Sequence, residues 1–91
     1  MHINYIKILL FISISTLVQA KEIRLIDNET GDPIKSVNVY KEKYGTTTDE
    51  NGYCSLELFD EIDDITFSMI GYETITKRYE KINKILYMHR E

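Results

Sequence analysis

This chain has one cysteine, one proline and two histidines in 91 residues, and each shortage closes off a class of protein. A lone cysteine, Cys54, cannot form a bridge within the chain, so the fold must hold by its core and strand pairing. His2 lies in the opening segment and His89 close to the last residue, so only His89 is left to partner Ser55, Ser68 or Cys54 in acid–base or nucleophilic chemistry. The expectation is no enzyme, no catalytic residue, no cofactor and no metal. A single proline and four glycines make neither a linker nor a low-complexity tract, and no internal repeat is visible. The net charge of -4 is mildly acidic, with lysines interleaved among the acids, and no basic stripe offers a nucleic-acid surface.

The one long apolar stretch, Ile8 to Val18, follows a positively charged opening, and Val18 and Ala20 are the small residues a signal peptidase pocket requires. Residues 1–20 are therefore expected to be a signal peptide, with cleavage before Lys21. The competing reading is an uncleaved anchor, but so short a run spans about half of a hydrocarbon core, which needs about 20 residues as a helix. No cysteine stands at the cut to take a lipid. Lys7 is the only charged side chain removed, so Lys21 to Glu91 carries -5, in a single domain near the lower size limit for one self-sufficient core.

That domain reads as strands. Lys21 to Asp27 alternates Ile23 and Leu25 with charged neighbours, then turns at NETGDP, where Asn28, Gly31, Asp32 and Pro33 suit turn dihedrals. Ser36 to Tyr40 places Val37 and Val39 inward; KEKYG makes a turn or edge; Thr46 to Thr48 extends briefly; DENG turns tightly through Asp49 and Gly52. Tyr53 to Phe59 places Cys54, Leu56 and Leu58 on one face. Ile65, Phe67 and Met69 share a face up to a bulge or tight bend at Gly71, and Tyr72 to Tyr79 alternates again. In the final strand, Ile82 to Met88, the run Ile85–Leu86–Tyr87 does not choose a face. Six or seven short strands at intervals of about 8–12 residues, with no helical period, predict an all-β sandwich.

Three runs, DNETGDPIKSVNVY, GTTTDENGYCSLEL and ITFSMIGYETI, together resemble the carboxypeptidase-regulatory-like domain family. The matching positions are Asp27, Pro33, Ile34, Val37 and Val39; Gly45, Thr48, Asp49 and Gly52; and Ser68, Gly71 and Tyr72. The resemblance implies a small transthyretin/prealbumin-like Greek-key sandwich of about seven strands over residues 21–91. It also implies an exported protein of the periplasm, outer membrane or cell surface. Such domains are common in Bacteroidetes, often at the N-terminus of TonB-dependent outer-membrane receptors. Three departures stand out. Ile23 and Ser36 replace glycines usual in the family, and Cys54 replaces an aromatic, leaving volume for Tyr53 or Phe59 to fill.

The motif residues Pro33, Gly45, Thr48, Asp49, Gly52, Gly71 and Tyr72 are read as structural. Asp49, Glu50 and Asn51 could offer oxygens to calcium, but no Asp-x-Asp spacing or distant bidentate Glu completes a loop, and Asp49 capping its own turn fits better. The acidic run Asp60 to Asp64 reads as a solvated loop, and Cys54 as a small buried hydrophobe, with an intermolecular disulfide or a reactive thiol as alternatives. Tyr53, Tyr72, Tyr79 and Tyr87 read as packed strand residues with the phenol at the rim. The resulting expectation is a non-catalytic accessory module that contacts another envelope protein through a sheet edge or face, with no stable membrane span after residue 20. The alternatives are a truncated receptor domain and a carbohydrate- or ion-binding module.

Overall fold

Ile23 and Leu25, the apolar beats of the first strand, are both fully buried in β1 (Glu22–Asp27), the central strand of a three-stranded sheet. The computed structural model describes residues 21–91; the leader expected over residues 1–20 lies outside the described residues. After β1 come β2 (Asn38–Lys41), β3 (Tyr44–Thr47), β4 (Tyr53–Ser55), β5 (Asp64–Ser68), β6 (Ile75–Arg78) and β7 (Ile85–Met88), with a short 3-10 turn at Tyr79–Lys81. One sheet has the order β4-β1-β7 and the other β3-β2-β5-β6. This is an all-β, seven-stranded sandwich. No helix among the described residues is long and apolar enough to cross a membrane.

Register explains the core. In the larger sheet Val39 pairs with Phe67, and in the smaller Ile23 pairs with Cys54 and Leu25 with Leu86, so the period-2 residues of both sheets share the interior. Leu56, Phe59, Ile34 and Ile82, from the connections between strands, join the same cluster. Burying a large apolar side chain contributes about 1.5–3 kcal/mol. With no disulfide, that burial and the strand ladders must offset the ordering of the chain.

The strand nearest the DENG turn is shorter than its pattern implies. β4 ends at Ser55, and the Phe59 amide donates to the Leu56 carbonyl at 3.0 Å, closing a tight turn. The inward positions therefore change spacing from two to three: Leu56 and Phe59 are buried while Leu58 is 53% exposed. Phe59 thus joins the cluster that contains Cys54, whereas Tyr53 faces outward. The expected strands Tyr72–Tyr79 and Ile82–Met88 also contract, to Ile75–Arg78 and Ile85–Met88. β7 does choose a face, with Leu86 and Met88 buried and Ile85 and Tyr87 exposed. The acidic run is only partly a solvated loop. Asp63 is buried, accepts the Asp60 amide at 2.8 Å and pairs with Lys41, so one of these acids closes the loop from inside.

Candidate functional site

β1 ends in an aspartate because the chain needs an acceptor there. Asp27 is 2% exposed, and its carboxylate receives four donors. Oδ1 accepts the amides of Glu29 (2.7 Å) and Thr30 (3.0 Å), and Oδ2 accepts the Tyr72 hydroxyl (2.6 Å) and the Arg90 Nε–H (2.8 Å). The first pair shapes the turn after β1; the second ties β1 to two distant segments. Tyr72 follows a turn in which its amide donates to the Met69 carbonyl (3.0 Å) with Gly71 at φ 91°, a left-handed value suited to glycine. The backbone then pairs Tyr72 with Arg90, so this corner holds the ends of both sheets. The Tyr72 hydroxyl and the Arg90 guanidinium hold the Asp27 carboxyl well below the usual carboxylate range, and the same carboxylate raises the Tyr72 phenol.

A second group of motif residues lies between β1 and the DENG turn. Thr48 is buried; its hydroxyl donates to the Ile34 carbonyl (2.6 Å) and accepts the Val37 amide (2.9 Å). Asp49 Oδ1 accepts the amides of Asn51 and Tyr53, both at 2.9 Å, capping its own turn. Gly52 has φ 82°, and its carbonyl accepts the Leu25 amide at 2.8 Å. A Cβ at Gly52 would stand 2.7 Å from the Leu25 carbonyl oxygen and 3.1 Å from Pro33 Cβ, so only glycine lets this turn lie on β1. Pro33 itself is exposed and bridges to Ile26. Ser36 adopts a left-handed backbone at φ 63°, a conformation in which glycine carries no steric cost.

A comparison with family models matches residues 24–89 to the CarboxypepD_reg-like domain. The chain belongs to this family. No curated protein and no solved structure matches it significantly. The family is a regulatory-like, non-catalytic domain. The structure brings Asp27 together with Tyr72, and Gly52 together with Pro33. Gly45 lies apart on β3, where a Cβ would stand 3.2 Å from Tyr40 Cβ. Among the described residues no group of three His, Cys, Asp or Glu side chains gathers to hold a metal. Burial pushes the Cys54 thiol up to about 11, which keeps it protonated and poorly nucleophilic.

Chemistry open to a partner lies on the outer faces of the sheets. On the three-stranded sheet, register aligns Tyr53, Arg24 and Ile85 in one row and sets Ile26 beside Tyr87 in the next. Tyr53, Ile85 and Tyr87 are 38%, 47% and 51% exposed, and the Arg24 guanidinium lies 4.7 Å from the Tyr53 ring centre. On the four-stranded sheet the rows are polar: Thr47, Asn38 and Ser68; then Gly45, Tyr40, Thr66 and Thr76; then Asp64 and Arg78. A shallow open groove of about 550 Å³ follows the first row and the notch at Gly45. Sequence reasoning missed Arg90 and the outward pair Ile85 and Tyr87. Parity with buried Ile82 would have indicated Leu86 and Met88 as the inward residues of β7. No local signal marks Arg90, whose role exists only in the folded register.

Proposed function

We propose that this domain is an exported, non-catalytic module of the cell envelope that docks another envelope protein on the outer face of its three-stranded sheet. The observation that carries the reading is the row Tyr53–Arg24–Ile85 with Tyr87 beside it, an apolar and aromatic face with a guanidinium at its centre. Tyrosine and arginine are among the side chains that most often anchor protein interfaces, because tyrosine buries a large ring with few rotatable bonds and the planar guanidinium brings directed donors. Export rests on the leader pattern of residues 1–20. The non-catalytic reading is supported by the buried chemistry being already committed: Asp27 to four donors, and the Cys54 thiol to the core.

A second reading, addition of a partner strand, is favoured at one edge. β3 is the sequence YGTT, an edge strand with no charge and no proline, whereas the β6 edge carries Lys77 and Arg78. Such an edge accepts backbone hydrogen bonds from an extended segment. Affinity capture from envelope extract separates the two. Paired Ile85→Lys and Tyr87→Glu changes should abolish recovery of the partner, while Thr47→Pro should leave it intact. The opposite pattern selects strand addition, and recovery indifferent to both sets overturns the docking function.

A further inference from the structure

The groove on the four-stranded sheet is lined chiefly by neutral polar side chains. Its polar side chains are Asn38, Tyr40, Thr46, Thr47 and Ser68, none of which makes a side-chain hydrogen bond among the described residues. The neighbouring rows are self-satisfied. Thr66 and Thr76 bond each other at 3.0 Å, and Arg78 Nε donates to Asp64 at 3.2 Å. The groove row presents open amide and hydroxyl groups, each able to donate and accept, with the Tyr40 phenol beside it. Its second feature is the notch. Gly45 has no side chain opposite Tyr40, so the flank of the phenol ring is open to a ligand lying along the row.

Over Asn38, Tyr40 and Ser68 the groove selects by side chains, because β2 and β5 are each paired on both sides. The one free backbone edge beside it is the outer edge of β3, at the rim. No charged residue lines the depression in a chain that is 29% charged, which disfavours phosphates, uronates and charged peptides. An apolar ligand would strand three hydrophilic side chains beneath it. What remains is a neutral polyol with alternating hydroxyls and C–H faces. The row Thr47–Asn38–Ser68 crosses two strand spacings, about 9.5 Å, enough to follow more than one sugar ring.

We infer that this groove is a binding site for a neutral glycan, with Asn38, Thr47 and Ser68 hydrogen-bonding ring hydroxyls and Tyr40 stacking against a sugar face over the Gly45 notch. The site lies on the opposite sheet from the docking face and stands or falls independently of it. The test is amide NMR on the isotope-labelled protein titrated with maltohexaose, cellohexaose, laminarihexaose and xylohexaose, with a galacturonate hexamer as the charged control. At least one neutral hexasaccharide should produce saturating shifts centred on Asn38, Tyr40, Gly45, Thr47 and Ser68. Tyr40→Ala and Asn38→Ala should each weaken it about tenfold or more while Tyr87→Ala has no effect. The inference is overturned if no neutral sugar shifts these residues, if shifts map instead to Arg24, Tyr53 and Tyr87, or if the uronate binds as well as the neutral sugars. An uncharged Ser/Thr-rich peptide that perturbs the groove when the sugars do not would also overturn it.

Discussion

The two sheets share one core and turn opposite chemistries to the outside. The three-stranded sheet exposes Tyr53, Arg24, Ile85 and Tyr87, while the four-stranded sheet exposes Thr47, Asn38, Ser68, Thr66 and Thr76. Both faces are built from alternate positions of strands whose other positions are mostly apolar, among them Ile23, Leu25, Val39, Cys54, Phe67 and Met88. The inner residues are constrained by one interior that both sheets must fill. The outer ones are not, so the two faces are free to differ in what each can bind. Of the motif residues read from the sequence, Gly45 and Ser68 lie on the four-stranded face, while Asp27, Tyr72, Thr48, Asp49 and Gly52 lie in the corners that hold the sheets in register.

Breaking a corner should therefore erase both faces together, and this is the largest effect expected. Asp27→Ala leaves the Tyr72 hydroxyl, the Arg90 guanidinium and two amides without their acceptor at a site nearly closed to water. The variant should lose cooperative thermal unfolding or melt far below wild type, and any binding at either face should go with it. A melt close to wild type would show that the sheets hold register without this knot. Gly52→Val follows in size. A strained left-handed backbone and a side chain forced against the Leu25 carbonyl should cost about 3 kcal/mol or more in chemical denaturation, against near neutrality at an exposed site. Thr48→Val comes third, at about 2 kcal/mol, because it removes a buried donor to Ile34 and an acceptor for Val37 while keeping the shape.

The same corner gives the fold a pH dependence whose sign can be worked out. The Asp27 carboxyl titrates below its unfolded value of about 3.9, because Tyr72 and Arg90 stabilise the charged form. Its contribution is complete above the unfolded pKa and is lost as pH falls below about 4 toward the depressed folded value. Asp27→Asn keeps an acceptor and the shape but has no charge to protonate. The stability gap between wild type and Asp27→Asn should be constant near neutrality and narrow as pH falls below about 4. A gap that stays fixed down to acid would remove the charge from the account. Asp63, lowered by Lys41, titrates in the same direction in both proteins and cancels from the difference.

How much of this was legible beforehand follows from what is local and what is not. Alternation in KEIRLID, SVNVY and ITFS gives the inner faces of β1, β2 and β5 directly, because a half-buried strand must repeat every two residues. The pattern misleads where the chain turns while still burying side chains. From Leu56 to Phe59 a hydrogen-bonded turn changes the spacing, and Leu58 goes to water. Asp63 reads as one acid among four, yet it is buried because Lys41 stands across from it, a partner 22 residues away. Arg90 is of the same kind. Neither outer face was legible as a face, since each is assembled across strands whose register the sequence does not state.

The smallest expected effect on stability gives the sharpest contrast between the sheets. Ile85 and Tyr87 are half-exposed on β7, so replacing both with threonine puts a strand-favouring β-branched side chain at each site and leaves the buried core untouched. Surface changes of this kind usually fall within about 0.5 kcal/mol, and the melt should barely move. The variant nonetheless gives the three-stranded sheet the hydroxyl chemistry of its neighbour. If the faces are specialised as their side chains indicate, partner capture is lost while the groove around Asn38 and Tyr40 keeps its NMR spectrum and its sugar response. Capture that survives two threonines would place the partner elsewhere, since a hydroxylated face cannot bury what an isoleucine and a tyrosine bury. A change at Asn38 would show instead that the two outer surfaces communicate through the core, contrary to their independence in the register.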